Sequence, residues 1–398
     1  MNSQQWIEKS DKFIMKTYGR YPIVPVRGEG CRLWDADGKE YLDFLGGVAV
    51  NNLGHCHPKV VAALQKQAAE LIHCSNYYHI PQQIELAELL CNHSFADKAF
   101  FCNSGAEANE AAIKLARKYS RDTYGPERYE IITAADSFHG RTMATVSATG
   151  QEKVQRFFDP LLHGFTHVPF NDAAALEAAV TANTCAVMLE PIQGEGGVNM
   201  PSPGYFQAVR EICDRHGLLL IFDEVQVGMG RTGTLFAYEH FGVTPDVMTL
   251  AKALAGGAPI GTMLAKDQYA TAFVPGTHGS TFGGNPLVCA AAIATVRTIL
   301  EDGLLNRCEE IGEYLTGELE TLGKKYSFVK EVRGVGLMIG MSLTIPGADI
   351  VKKGHDRGLL LNVTHDTVLR FVPALVITKQ EIDSMIAILD GIFAETKA

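Results

Sequence analysis

Between about residue 58 and residue 285 the chain repeats one pattern: a short apolar run, often β-branched or aromatic, followed by a stretch with helical periodicity. The runs are AFFCN (99–103), RYEIIT (128–133), FTHVPF (165–170), TCAVMLE (184–190), LLLIFDE (218–224) and PDVMTLAK (245–252). The helical segments are plainest at SGAEANEAAIKLARKYS (104–120) and PGYFQAVREICDRHG (203–217). A strand that is apolar on both faces must be covered on both faces, and strands joined through helices run parallel. The pattern therefore specifies an α/β fold with a mostly parallel central sheet and helices on both sides. In such sheets ligands bind just beyond the carboxyl ends of the strands.

Four features stand at those ends. Ser104-Gly105-Ala106 opens a helix, where free N–H groups and close approach suit a phosphate; an ordinary serine cap has the same appearance. Phe138 and Arg141 follow the second run and put an aromatic ring beside a cation. Asp223 directly follows five apolar residues, and a buried acid needs compensating partners. Lys252 emerges from another buried run, where a lysine is unusual. An anion cradle, an aromatic face, a buried carboxylate and a buried amine match the needs of pyridoxal 5′-phosphate: a Schiff-base lysine, an acid for the ring nitrogen, a phosphate site and a cover for a flat ring.

The 398 residues exceed what one core holds, since single cores stop growing at roughly 250–300 residues. The texture divides the chain into a turn-rich segment 1–57, with strand-like pieces near Cys31–Trp34 and Lys39–Leu42, a large domain 58–285, and a helix-rich region 286–398. The last contains a glycine-rich strand candidate, VRGVGLMIGMSL (332–343). A net charge of −10 argues against nucleic-acid or anionic-membrane partners, which need a cationic face. The nine cysteines are scattered with no C-x-x-C pair, as expected of small buried hydrophobes in a reducing compartment. The charged amino terminus does not read as a secretory signal. LVCAAAIATVRTIL (287–300) is interrupted by Arg297 and falls short of the roughly 18 residues of a membrane span. A cytoplasmic location is the expectation.

Two motifs compete. GMGRTG (228–233) has the G-x-G-x-x-G spacing of dinucleotide sites, but five residues separate it from the apolar run and no acid occurs between Asp246 and Asp267 to bind a ribose. It reads as a glycine-rich turn, which leaves a nicotinamide-dependent oxidoreductase as a distant alternative. His55-Cys56-His57 lacks a second ligand pair at zinc-like spacing, so no metal is expected.

From LWDADGKEYLDFLGGVAVNNLGHCHP (33–58) through the strand-end residues to VLRFVPAL (368–375), the chain resembles the class III (ω-amino acid) aminotransferases, a branch of the fold-type I pyridoxal-phosphate transferases. The resemblance implies a smaller α+β domain made jointly by the N-terminal segment and the C-terminal region. It makes Lys252 the Schiff-base lysine and proton carrier, and Asp223 the partner of the ring nitrogen. Gln226 approaches the ring's phenolic oxygen, Phe138 stacks on the ring, and Ser104, Gly105 and Ala106 bind phosphate. HGSTFGGNPL (278–287) matches the segment that reaches across a homodimer interface, with Thr281 completing the partner's phosphate site and Ser280 beside it binding substrate.

By the same resemblance Arg141 receives the α-carboxylate of an ornithine-type donor and Arg370 that of 2-oxoglutarate or glutamate; a guanidinium fork fits a carboxylate with two parallel bonds. Glu195 matches an acid that neutralises Arg370 while the donor is bound. The segment Gly46-Gly47-Val48 lacks the tyrosine that ornithine δ-aminotransferases tend to carry there, favouring an acylated donor. The implied reaction converts N-acetylornithine and 2-oxoglutarate into N-acetylglutamate semialdehyde and glutamate. Ornithine, 4-aminobutyrate and succinyldiaminopimelate remain alternative donors, and a cofactor binder without turnover remains an alternative class.

Overall fold

Residues 1–396 are described by the computed structural model. The chain opens with an antiparallel meander, β1 (Pro25–Glu29), β2 (Arg32–Asp35) and β3 (Glu40–Asp43). The apolar runs then become strands of one seven-stranded sheet. These are β4 (Lys98–Cys102), β5 (Glu130–Ala134), β6 (Phe165–Val168), β7 (Thr184–Leu189), β8 (Leu219–Asp223), β9 (Val247–Leu250) and β10 (Gly261–Ala265). Their spatial order is β4-β10-β9-β8-β7-β5-β6. The pairs from β9 to β6 are parallel, and β10 alone runs against both its neighbours. No run expected from the sequence corresponds to β10: GTMLA is short and follows a glycine-rich turn. It is nevertheless wholly buried, because strands flank it on both sides and the helix Gly105–Tyr124 covers it.

Successive residues of a strand point to opposite faces, and here both faces are filled. Ala186, Met188, Leu219 and Ile221 pack with Ile113 and Leu115 of helix Gly105–Tyr124. Val187, Leu189, Leu220 and Phe222 pack with Phe206, Val209 and Ile212 of helix Tyr205–His216 on the other side. This is why the runs show no alternation.

The C-terminal region adds β11 (Val329–Val335), β12 (Met338–Leu343), β13 (Leu359–Leu360), β14 (Asn362–Thr364) and β15 (Val368–Phe371). β11, β12, β15 and β14 form an antiparallel sheet in that order. VRGVGLMIGMSL is therefore not one strand but a hairpin, reversed at Gly336, whose φ of 55° favours glycine. β13 leaves that sheet and pairs in parallel with β3, so the two ends of the chain share a four-stranded sheet. The apolar segment 287–300 lies within the helix Pro286–Glu301, packed on helices Pro58–Glu70 and Pro81–Asn92. Among the described residues no helix is long and apolar enough to cross a membrane.

GMGRTG does not open a helix against a phosphate. Its Arg231 is completely buried: Nη1 donates to the carbonyls of Leu337 (3.0 Å) and Pro373 (2.5 Å), and Nη2 donates to Asn52 Oδ1. Asn52 Nδ2 in turn donates to Met229 O (2.7 Å). Burial pulls the guanidinium down to about 10. The motif stitches the central sheet's loops to both ends of the chain. Arg231→Ala strands two buried carbonyls and an amide, each worth about 1–3 kcal/mol when unpaired. Denaturant unfolding should show a loss of at least ~2 kcal/mol, and a loss below ~0.5 kcal/mol would contradict the clamp.

Candidate active site

The last residue of β8 and the one after it are both acids, and strand alternation sends them apart. Glu224 turns away to accept the N–H groups of Ala237 (2.6 Å) and Tyr238 (2.7 Å), with burial pushing its carboxyl up to about 8. Asp223 turns toward a cavity of about 380 Å³, within the roughly 300–1,000 Å³ of small-ligand sites. Three donors fix it: Asn109 Nδ2 (2.7 Å) and His139 Nδ1 (2.8 Å) on Oδ2, and the Val225 N–H (3.0 Å) on Oδ1. Thr249 Oγ1 aligns Asn109 by donating to its Oδ1 (2.7 Å). Burial disfavours a charged His139, but the bond to Asp223 and its charge outweigh burial and raise the imidazole pKa. Among the described residues nothing bonds to the buried Nε2 of His139.

Lys252 follows β9 in a left-handed conformation (φ 40°) and reaches the same cavity. Desolvation lowers its amine pKa; Glu195 opposes that shift and Arg370 adds to it. Across the cavity the helix Gly105–Tyr124 begins. Ser104 caps it, its Oγ accepting the Glu107 N–H (3.2 Å) and donating to Glu107 Oε2 (3.2 Å). The N–H groups of Gly105 and Ala106 remain at the helix start, where the dipole favours an anion. A Cβ on Gly105 would come within 2.6 Å of Val225, so only glycine permits this approach. Of the residues expected from the sequence, Ser104, Gly105, Ala106, Phe138, Arg141, Asp223, Gln226 and Lys252 line this one cavity.

Arg370 and Glu195 sit just behind Gln226. Arg370, 1% exposed on β15, donates from Nη1 to Glu195 Oε1 (2.5 Å) and Gln226 Oε1 (3.0 Å). Gln226 Nε2 donates to the same Glu195 oxygen (3.1 Å), closing a triangle. Arg141 differs: it is exposed, lies 5.5 Å from the Phe138 ring centroid, and among the described residues no ion pair engages it.

The segment that lacks a tyrosine is a left-handed turn, with positive φ at Gly46, Gly47, Val48 and Ala49. Asp43 braces it by accepting the N–H groups of Leu45 (2.8 Å) and Gly46 (2.9 Å), and His55 Nε2 lies 2.7 Å from the second oxygen of Asp43. His55 thus serves a turn, and no group of three metal-ligating side chains occurs among the described residues. Thr281 is exposed and lies outside the cavity of its own chain. Ser280 Oγ is committed to Asn103 Nδ2 and the Gly283 N–H, both at 3.1 Å. Sequence reasoning missed Asn109, His139 and Glu190. Asn109 lies one helical turn beyond Gly105 on the same face, a signal that was available. No spacing rule ties residue 139 or 190 to residue 223.

The model of the aminotransferase class-III family matches residues 13–393. The chain belongs to this family. It is 56% identical over 387 residues to an acetylornithine aminotransferase of Caldanaerobacter subterraneus, covering 97% of this chain and 98% of that one. Among solved structures it is similar to an ornithine aminotransferase of Toxoplasma gondii, with TM-score 0.96, 35% identity and coverage of 99% and 96%. An acetylornithine aminotransferase of Elizabethkingia anophelis matches with TM-score 0.89, 35% identity and full coverage of both chains.

Class-III aminotransferases are pyridoxal-phosphate enzymes, so this chain is a pyridoxal-phosphate aminotransferase. The cavity fits that group: a helix start open to a phosphate, a carboxylate fixed by three donors, a desolvated lysine and an aromatic wall. Glu195 offers a direct test of the electrostatics. Burial pushes its carboxyl up, but the Arg370 charge, Lys252 and the bonds from Arg370 and Gln226 prevail and hold it at about 2. A depressed carboxylate stabilises the fold above its unfolded pKa of about 4.3, and that contribution is lost as pH falls toward 2. Carbon-13 NMR of the Glu195 carboxyl should show no titration between pH 6 and about 4, whereas a midpoint near 4.3 would contradict the ion pair.

Proposed function

We propose that the protein transfers the distal amino group of N-acetylornithine to 2-oxoglutarate, yielding N-acetylglutamate semialdehyde and glutamate in two half-reactions. The observation that carries this reading is the contrast between two arginines: Arg370 is neutralised by Glu195, and no ion pair engages Arg141 among the described residues. A donor with one α-carboxylate and a remote amine needs a free guanidinium at a distance from the lysine. A dicarboxylate acceptor needs a second guanidinium, which must be masked while the donor occupies the site. Arg141 binds the donor's α-carboxylate, Arg370 binds the acceptor's, and Glu195 masks Arg370 in between.

Bound pyridoxal phosphate supplies the carbonyl that takes up the amino group and the ring that spreads the resulting negative charge. Lys252 Nζ anchors that group and, kept low in pKa by desolvation, takes and returns the proton at the carbon that carries the amine. Asp223 holds a fixed negative charge opposite the ring nitrogen, with Asn109 and His139 keeping it in line. Phe138 covers the ring, Gln226 approaches its phenolic oxygen, and the Gly105 and Ala106 N–H groups with Ser104 take the phosphate. The absence of an aromatic side chain at Gly46-Gly47-Val48 favours an acylated donor over free ornithine. The high identity to the acetylornithine enzyme of Caldanaerobacter subterraneus supports the same donor.

The working unit is a homodimer in which Thr281 of each subunit completes the other's phosphate site. Exposed aromatic residues beside Thr281 support this assembly. Asn76 ties its loop to Ser280 O and Gly283 O (both 3.0 Å), and Tyr77 and Phe282 on these loops are 94% and 60% exposed. Ser280 stands beside Thr281; its hydroxyl accepts two internal N–H groups and keeps its own O–H to donate to a substrate oxygen.

A donor panel with 2-oxoglutarate tests the reading. N-acetylornithine should give the highest kcat/KM over ornithine, 4-aminobutyrate and succinyldiaminopimelate, with Lys252→Ala inactive toward all four; a higher value for ornithine would overturn the donor assignment. Arg141→Ala removes a charge-assisted bond pair of about 1.5–3 kcal/mol, so the donor's KM should rise roughly tenfold or more. The KM for 2-oxoglutarate should hold, and equal increases for both substrates would take Arg141 off the donor side.

A further inference from the structure

At the end of β7 stands a buried carboxylate to which the reaction scheme gives no task. Glu190, 5% exposed, lines the cavity and accepts two backbone N–H groups from two different loops. Oε2 receives the N–H of Phe138 (3.0 Å), the residue that covers the cavity, and Oε1 receives the N–H of Gly194 (3.3 Å), the residue just before Glu195. Gly194 has no slack on its other side: a Cβ there would lie 2.0 Å from Gln226 Oε1. Gln226 is itself bonded to both Glu195 and Arg370. The loop carrying the acid is thus pinned at residue 194, one residue before its working group.

We propose that Glu190 is a positioning residue that anchors the hinge of the Glu195 gate and holds the Phe138 cover to the same fixed point. The proposal rests on the reading of Glu195 as a mask for Arg370. For Arg370 to receive an acceptor carboxylate, the Glu195 side chain must swing away, and it does so on a backbone held by Glu190 at the Gly194 N–H and by Thr364 Oγ1 at the Glu195 carbonyl. The second oxygen of Glu190 keeps Phe138 in place during the swing. The task needs a side chain with two acceptors. An amide offers one acceptor and turns its NH₂ toward a backbone N–H. A protonated carboxyl is compromised in the same way. Glu190 faces His139, Asp223 and Lys252; burial pushes its pKa up to about 7, opposed by His139 and reinforced by Asp223. The gate anchor therefore strengthens as pH rises through neutrality.

The test uses the cofactor-loaded enzyme and follows each half-reaction separately by cofactor absorbance. In Glu190→Gln the 2-oxoglutarate concentration for half-maximal rate should rise about tenfold, several-fold more than that for the donor, which shares the Phe138 cover. Equal changes for both substrates, or none, overturn the proposal. In a Glu195→Ala background the gate is gone, so adding Glu190→Gln should leave acceptor half-saturation unchanged; the full tenfold effect persisting there also overturns it. Glu190→Asp keeps both acceptors but shortens their reach, and should show the same acceptor-selective direction if the glutamine variant is too unstable to assay. An inactive wild-type enzyme would count against the functional reading. Normal donor turnover with an unselective Glu190→Gln would count against this inference alone.

Discussion

The parallel pairing of β8 with β9 is the constraint on which the site depends. Its register sets Asp223 opposite Thr249, three residues before Lys252. One strand therefore delivers the acid and its neighbour the amine, both at the carboxyl edge, and Thr249 orients the amide that aligns Asp223. A slip of one residue would exchange Asp223 for Glu224 and point the wrong acid into the cavity. The register is secured by burial, since every residue of both strands is buried. Catalytic geometry is in this sense a by-product of core packing.

Asp223, Glu224 and the half-buried Glu195 show how environment separates like chemistry. Asp223 is held by two side-chain donors and a backbone N–H, Glu224 by two backbone N–H groups, and Glu195 by a guanidinium. Glu224 is pushed up to about 8 by burial, while Glu195 is held at about 2 by the Arg370 charge. The difference lies in the partner: backbone dipoles only partly offset desolvation, whereas a full positive charge overcomes it.

The strand-end rule made the sheet and half of the site legible in the sequence. Long apolar runs carry their own signal, and Asp223 and Lys252 stood out because ionisable groups rarely follow such runs. The hairpin in VRGVGLMIGMSL was read as one strand because it stays apolar through Gly336, and β10 was missed because it is too short to mark a period. Asn109, one helical turn beyond Gly105, carried a signal in the sequence, whereas His139 and Glu190 share a different obscurity. Each of these two acts on a residue more than thirty positions away in sequence, through a contact that only the fold creates. Glu190 shows this in part: Phe138, one of its two partners, lies on a loop fifty-two positions earlier, and nothing local distinguishes Glu190 from a strand-end acid exposed to water.

The sharing of one small sheet between the two ends of the chain has a bearing on how the protein is made. β3 finds its parallel neighbour β13 only after some three hundred further residues, and Asn52 waits still longer for the Pro373 carbonyl to reach the guanidinium it shares. Contacts between such distant positions close late and slowly. During synthesis on the ribosome the lysine-bearing floor can form while Arg370 has yet to emerge. A nascent enzyme at that stage holds an incomplete substrate site, and its amino-terminal meander lacks its parallel neighbour until Leu359 and Leu360 have been made.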